Sequence, residues 1–241
     1  MQFERIKSLI FDYGGTLDTN ARHWARVLWE GYVRAGIPVD EAAFRKAYVH
    51  GERTLARLPI IVPADNFHAV LLKKVDVETR YLVDEGLWNA TAGERRRLSA
   101  AVAEYGYAYA RRTTEQSREV LMRLQPHYKM VLVSNFYGNI GTILDDFGLT
   151  FFSHVVESAV VGVRKPAPAI FRLGVEATGN SPEEVLVVGD SYDKDIVPAR
   201  AAGCATAWLK GEGWTDDQPD GIEADVVISR LSDLMKFLRH D

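Results

Sequence analysis

Short runs of apolar, largely β-branched residues recur along this chain between much longer stretches of helical periodicity, and that alternation is its strongest constraint on the fold. The runs are Leu9-Ile10-Phe11, Met130-Val131-Leu132-Val133, Val155-Val156, Val185-Leu186-Val187-Val188, Ala205 to Leu209 and Asp225 to Ile228. Continuous apolarity without polar alternation is the mark of strands buried on both faces. Strands of that kind, separated by helices, predict an α/β architecture: a doubly wound, Rossmann-like parallel sheet. One interval breaks the rhythm. From about residue 20 to 114 there is no strand candidate, while Trp24, Val27, Leu28 and Tyr32, then Val70, Leu71 and Val75, then Ala100, Ala101, Tyr105 and Ala108 fall at helical spacing. An inserted all-helical cap over 20–114 is predicted, with 1–19 and 115–241 forming the core. Turn signals at Gly36-Ile37-Pro38, Leu58-Pro59 and Asn89 to Gly93 divide the insertion into about four helices, with Thr91 an N-cap and Glu94 its capping-box partner.

Composition narrows the function. A chain of 241 residues with 47% hydrophobic residues can fill a core, and a formal net charge of -4 argues against nucleic acid as a partner. The lone Cys204 allows no internal disulfide and reads as a small buried residue. The N-terminal stretch has charges on both sides of a short apolar run, and no later run reaches membrane length, so the expectation is a cytoplasmic protein without a membrane partner. Oligomeric state leaves no signal. The segment Gly211 to Gly221 is turn-rich and acidic, which suits a solvated loop. Arg95-Arg96-Arg97 and Arg111-Arg112 could steer an anion, although such runs usually make a solvated helix face. Trp29, Trp88 and Trp208 read as packing residues, and His23 and Trp24 as packing at the entry to the cap.

Chemistry concentrates where the apolar runs end, the place where open α/β sheets hold ligands. Asp12 ends the first run, in FDYGGTLDT; Ser134 and Asn135 end the second; Lys165 precedes a helix in RKPAPAIF; Asp190 ends the fourth, with Asp193 and Asp195 just beyond it. Each also has an ordinary structural reading. Lys165 could be a surface lysine before a helix-starting proline, Ser134 an N-cap, and Asp195 an acid at a helix N-terminus. Their order along the chain is more telling than any one of them. From about Ser8 to Leu209 the chain resembles the haloacid dehalogenase superfamily of hydrolases, and the insertion resembles the helical cap that many members carry after the first motif.

The resemblance implies Asp12 as nucleophile, with Asp12, Asp190, the Gly14 carbonyl and, directly or through water, Asp195 around Mg²⁺. It also implies Lys165, Ser134, Asn135 and the amides of Tyr13 and Gly14 around the phosphoryl group of a small phosphorylated substrate. The physics agrees: a carboxylate attacks an anionic ester only where a cation and a fixed ammonium neutralise charge, and Mg²⁺ prefers oxygen ligands. One position departs from the pattern. Family members that hydrolyse phosphate esters carry an acid–base aspartate two residues after the nucleophile, where this chain has Gly14. Loss of general acid–base catalysis is worth about 10²–10⁴-fold. Three readings stay open: a weakened or specialised phosphatase; a relative of the phosphonate-cleaving branch, with Lys46, Lys73 or Lys74 as imine-forming lysine; or a non-catalytic fold that binds a ligand or protein. The halide-removing branch needs no metal and leaves the acidic cluster unexplained. Tyr13 and Asp18 are possible substitute acids, Asp18 otherwise capping its turn.

Overall fold

A computed structural model describes residues 3–214 and 223–239. Its six strands form one sheet in the order β3-β2-β1-β4-β5-β6, and every neighbouring pair is parallel. The strands are β1 (Ser8–Phe11), β2 (Lys129–Ser134), β3 (His154–Glu157), β4 (Val185–Gly189), β5 (Ala205–Leu209) and β6 (Val226–Ile228). All six coincide with the apolar runs. Side chains alternate across the sheet. Leu9, Phe11, Met130, Leu132, Leu186 and Val188 enter one core cluster, while Ile10, Val131, Val133, Val185 and Val187 enter another on the opposite face. The edge strands pack on fewer neighbours, so Val155 of β3 and Val227 of β6 remain exposed.

Between β1 and β2 lie four helices: α1 (Trp24–Ala35), α2 (Glu41–Arg57), α3 (Phe67–Asp84) and α4 (Ala92–Leu124). The expected breaks hold. Gly36 closes α1 in the left-handed conformation, and Thr91 caps α4 by accepting from the Glu94 amide at 3.2 Å. α4 passes through residue 114 without interruption. Its first half packs on α1 and α3, while Ser117 further along donates to the Leu17 carbonyl at 2.8 Å, and Leu121 and Leu124 join the core. One helix therefore carries the insertion and fixes it to the sheet. After β2 come α5 (Ile140–Asp146), α6 (Ser158–Val161), α7 (Pro168–Thr178) and α8 (Val197–Ala201). α7 supplies Ile170, Phe171 and Val175 to the second core cluster and α8 supplies Ala199, whereas α5 adds Ile140, Ile143 and Leu144 to the first. No helix among the described residues is long and apolar enough to cross a membrane.

The Gly211–Trp214 part of the expected loop is fastened to the cap. The Glu212 carbonyl accepts from the His23 amide at 2.8 Å and its carboxylate pairs with Arg22, while the Trp214 ring lies 4.8 Å from the Arg45 guanidinium and packs on Tyr48 and His23. Aromatic area and cation–π attraction hold it there, which acidic composition did not suggest. The remainder of that loop, 215–221, lies outside the described residues.

Candidate active site

The strand order reverses beside β1, and the chain ends of β1, β2 and β4 open there onto one cavity of about 900 Å³ that residues of α1, α2 and α3 also line. Asp12 follows β1 directly, its amide bonded to the Val188 carbonyl of β4 at 3.0 Å. Lys165 reaches it from the loop before α7. Lys165 is 4% exposed, and its ammonium lies 2.6 Å from Asp12 Oδ1 and 2.7 Å from Asp195 Oδ1. Asn135 fixes that lysine: its Oδ1 accepts from the Lys165 amide at 2.9 Å and its Nδ2 donates to the Lys165 carbonyl at 3.1 Å. Both polar ends of the Asn135 side chain thereby help position Lys165, and the second N–H of its amide is left for another acceptor.

Asp190 follows β4 and is held by the Thr16 hydroxyl at 3.0 Å, while the Trp208 indole donates to its carbonyl at 2.8 Å. Asp195 sits in a π-helical turn, Tyr192–Ile196, whose wide bore brings its Oδ2 to the Ser191 amide at 3.0 Å. Two glycines make this crowding possible. A Cβ on Gly15 would lie 2.3 Å from Asp190 Oδ2, and one on Gly189 would lie 2.4 Å from the Asp195 Cβ. Gly15 also has a φ of 97°, which L side chains rarely adopt. Gly14 differs: an added Cβ there meets nothing within 4 Å.

Asp12, Asp190 and Asp195 present carboxylate oxygens within 4.8 Å of one another. Three carboxyl groups face one ammonium. Burial pushes the Asp12 carboxyl up to about 6 against the pull of Lys165, and burial with the neighbouring carboxylates pushes Asp190 well above the usual range. Burial alone would favour the neutral amine at Lys165, but Asp12 and Asp195 more than offset it and keep the ammonium charged. A set of hard oxygens from three carboxylates, crowded enough to resist full ionisation with one ammonium for company, fits a divalent cation such as Mg²⁺. Ser134 Oγ, at the end of β2, is buried and has no hydrogen-bond partner, an orphan that an incoming anion would satisfy.

The remaining candidates separate clearly. The Tyr13 ring is buried between Phe67 and Phe136, its hydroxyl is unpartnered, and burial moves it well above the ordinary tyrosine range, away from acid duty near neutral pH. Asp18 caps the turn as expected, accepting from the Gly15 amide at 2.7 Å and the Trp24 indole at 2.9 Å, and burial raises its carboxyl to about 7. Lys46 lies on an outer groove, Lys73 pairs with Asp65, and Lys74 alone of the three lines the cavity. None of Arg95, Arg96, Arg97, Arg111 and Arg112 lines it; Arg95 is buried against Asp76 and Thr79. Cys204 is buried, its thiol pushed up to about 12 by loss of solvent. Thr16 and Trp214 escaped the sequence reading, and Trp208, read there as a packing residue, also holds the Asp190 carbonyl. Thr16 lay within the FDYGGTLDT stretch itself, but a hydroxyl carries no signature of the carboxylate it will meet.

Comparison with known proteins agrees with this geometry. A glyceraldehyde 3-phosphate phosphatase from Pyrococcus abyssi is 30% identical over 98% of this chain and 95% of its own. Among solved structures, a putative HAD-hydrolase, YfnB from Bacillus subtilis bound to magnesium, superposes with a TM-score of 0.62 at 20% identity, covering 98% of this chain and 99% of that one. A dehalogenase with an intermediate complex superposes at 0.66 with 16% identity over 98% and 99%, a likeness of fold alone. A family model described as haloacid dehalogenase-like hydrolase matches residues 6–203, and the chain belongs to that family.

Proposed function

We propose that this protein is a Mg²⁺-dependent phosphatase that works through an aspartyl-phosphate on Asp12 and acts on a small phosphorylated metabolite. The observation that carries the reading is the Lys165 ammonium fixed between Asp12 and Asp195, in a cavity that also holds Asp190 and the unpartnered Ser134 hydroxyl. The relative named as a glyceraldehyde 3-phosphate phosphatase supports the substrate class.

A divalent cation held by Asp12, Asp190 and the Gly14 carbonyl would supply the positive charge that the carboxylate cluster lacks. Asp195 already has an acceptor oxygen on Lys165 and another on the Ser191 amide, so it contributes mainly by holding the lysine. Lys165 would pair with the phosphoryl oxygens while keeping Asp12 aligned, and the Ser134 hydroxyl would donate to one of them. An Asp12 oxygen then forms a bond to phosphorus as the ester oxygen leaves with the bonding pair. Water attacks the same phosphorus in the second step, releasing phosphate and restoring Asp12. Gly14 offers no acid for the first departure and no base for the second, so good leaving groups are favoured. The phosphonate-cleaving alternative is weakened at Lys74: burial would lower its ammonium, but Glu52, Tyr48 and Glu78 together outweigh that and raise it well above the ordinary value, whereas imine formation needs a free amine. Release of phosphate from an aryl phosphate, measured with Mg²⁺ and with a chelator, tests the assignment. Absence of Mg²⁺-dependent release would leave the non-catalytic reading.

A further inference from the structure

The cap side of the cavity holds a charged pair that the chemistry above does not use. Lys74 of α3 is 5% exposed. Its ammonium is paired with Glu52 Oε1 of α2, lies 3.4 Å from Glu78 Oε1, and sits 4.1 Å from the centroid of the Tyr48 ring. Glu78 is wholly buried, accepts from the Tyr32 hydroxyl at 3.1 Å, and is moved by burial toward its neutral form despite Lys74. Glu52 differs from both, with 45% of its side chain open. Lys74, Glu52 and Tyr48 line the same cavity as Asp12 and Lys165.

The groups offered to a bound molecule are thus one cation beside one anion, with Glu78 buried behind them, and with donors and acceptors adjacent. Such a pair suits hydroxyl groups, whose oxygen takes an N–H from lysine and whose proton goes to the carboxylate. A carboxylate on the substrate would instead meet Glu52, and a like-charge contact is among the costliest ways to seat a ligand. Tyr48, Tyr137, Trp24 and Trp214 supply flat apolar walls around it. The other cations of the cavity outside the reaction site, Arg57, Arg164 and Lys194, are exposed, where solvent and salt screen them. They can draw in a phosphate dianion without distinguishing what it carries.

We propose that the Lys74–Glu52 pair selects phosphate monoesters whose alcohol portion is uncharged and bears hydroxyl groups, and rejects those whose alcohol portion carries a carboxylate. The inference rests on the phosphatase reading of the same site, and binding can test it without turnover. Calorimetric titration of the Asp12→Asn variant with glycerol 3-phosphate and with 3-phosphoglycerate, in Mg²⁺, compares two ligands that differ in one hydroxymethyl against one carboxylate. Glycerol 3-phosphate should bind at least ~10-fold more tightly. Adding Glu52→Gln, which removes the repelling charge but keeps an acceptor, should bring the two within about 3-fold. Equal or reversed affinities, no binding of either, or a preference that survives Glu52→Gln in a variant with native circular dichroism would overturn the inference. Hydrolysis of an aryl phosphate by the wild type reads the phosphatase assignment separately. Turnover without the binding preference sinks only the pair's role; the preference without turnover sinks only the phosphatase.

Discussion

Replacing Gly14 with aspartate should convert a poor alkyl phosphatase into a better one. Sterics do not stand in the way, because a Cβ at this position meets nothing within 4 Å and Gly14 lines the cavity beside Asp12. The new carboxyl would join Asp12, Asp190 and Asp195; burial, with the repulsion of Asp195, already raises Asp12 to about 6, and burial beside these carboxylates would move the newcomer in the same direction. A protonated carboxyl in that place is a general acid for the departing alcohol. The accessible gain is the general acid–base range, ~10²–10⁴-fold or about 3–5 kcal/mol of barrier. Imperfect placement of an uncoordinated side chain will recover only part of it, so about 10-fold or more on an alkyl ester is expected. An aryl ester, whose leaving group carries its own charge, should change little. The assay is kcat/KM for p-nitrophenyl phosphate and glycerol 3-phosphate at saturating Mg²⁺, with rapid-quench detection of an early burst on the wild type, where water attack on the aspartyl-phosphate lacks a base. Equal wild-type rates on both esters would show that another group already serves as acid, and an alkyl rate unmoved in a folded Gly14→Asp variant would refute the argument from leaving groups.

Asp12→Asn should abolish phosphate release and Lys165→Ala should reduce it by about 10²-fold or more, since both remove charge complementarity at the phosphoryl group; an Asp12→Asn variant that keeps its rate would overturn the nucleophile. Gly15→Ala should cost about 2 kcal/mol or more, read from the denaturant midpoint, because its Cβ would fall 2.3 Å from Asp190 Oδ2 at a φ of 97°. Mg²⁺ should raise the thermal midpoint of the wild type by mass action and do so far less in Asp190→Asn. His23 caps α1 through Nδ1, which accepts from the Ala25 amide at 3.1 Å, and burial pushes its ring down to about 4. Its folded value lies below the unfolded one near ~6.5, so its contribution is complete above that pH and is lost as pH falls toward 4, by up to about 3 kcal/mol. His23→Asn keeps a capping acceptor and should narrow the gap between thermal midpoints at pH 4.5 and 7; an unchanged gap would refute the assignment.

The sheet was legible because β1, β2, β4 and β5 are buried on both faces or nearly so, and burial writes continuous apolarity into the sequence, while the half-exposed edge strands β3 and β6 showed only as short valine and isoleucine runs. The site was legible to the extent that it is made of strand ends: Asp12, Ser134 and Asp190 each follow a run that declares itself. What the sequence concealed depends on contacts between distant elements. The clamp of Asn135 on the Lys165 backbone joins residues 30 apart, and the Trp208 bond to the Asp190 carbonyl joins neighbouring strands. The continuity of α4 through residue 114 was hidden for another reason. No proline or turn cluster marks where a helix leaves one layer for another, because the backbone there does nothing different. Lys74 looked like its neighbour Lys73 in sequence; only the meeting of α2 and α3 makes one a half-exposed partner of Asp65 and the other a buried partner of Glu52.

The two glycines after Asp12 and Tyr13 have different causes, and the difference bears on what the enzyme has given up. Gly15 is dictated by geometry: the turn requires its left-handed backbone, and the Asp190 carboxylate occupies the space a side chain would need. Gly14 answers to neither demand, since its surroundings are open and its φ is not in the left-handed region. Packing therefore leaves position 14 free, and nothing in its surroundings requires a glycine there. A carboxyl at Gly14 would add a fourth acid to a cluster in which Asp12 and Asp190 are already driven toward protonation. On the proposed phosphatase reading, omitting it would keep Asp12 more readily ionised at the cost of assistance to the leaving group. That exchange would favour substrates whose leaving oxygen needs little help, and it would tie the absence of one side chain to the range of esters that this cavity turns over.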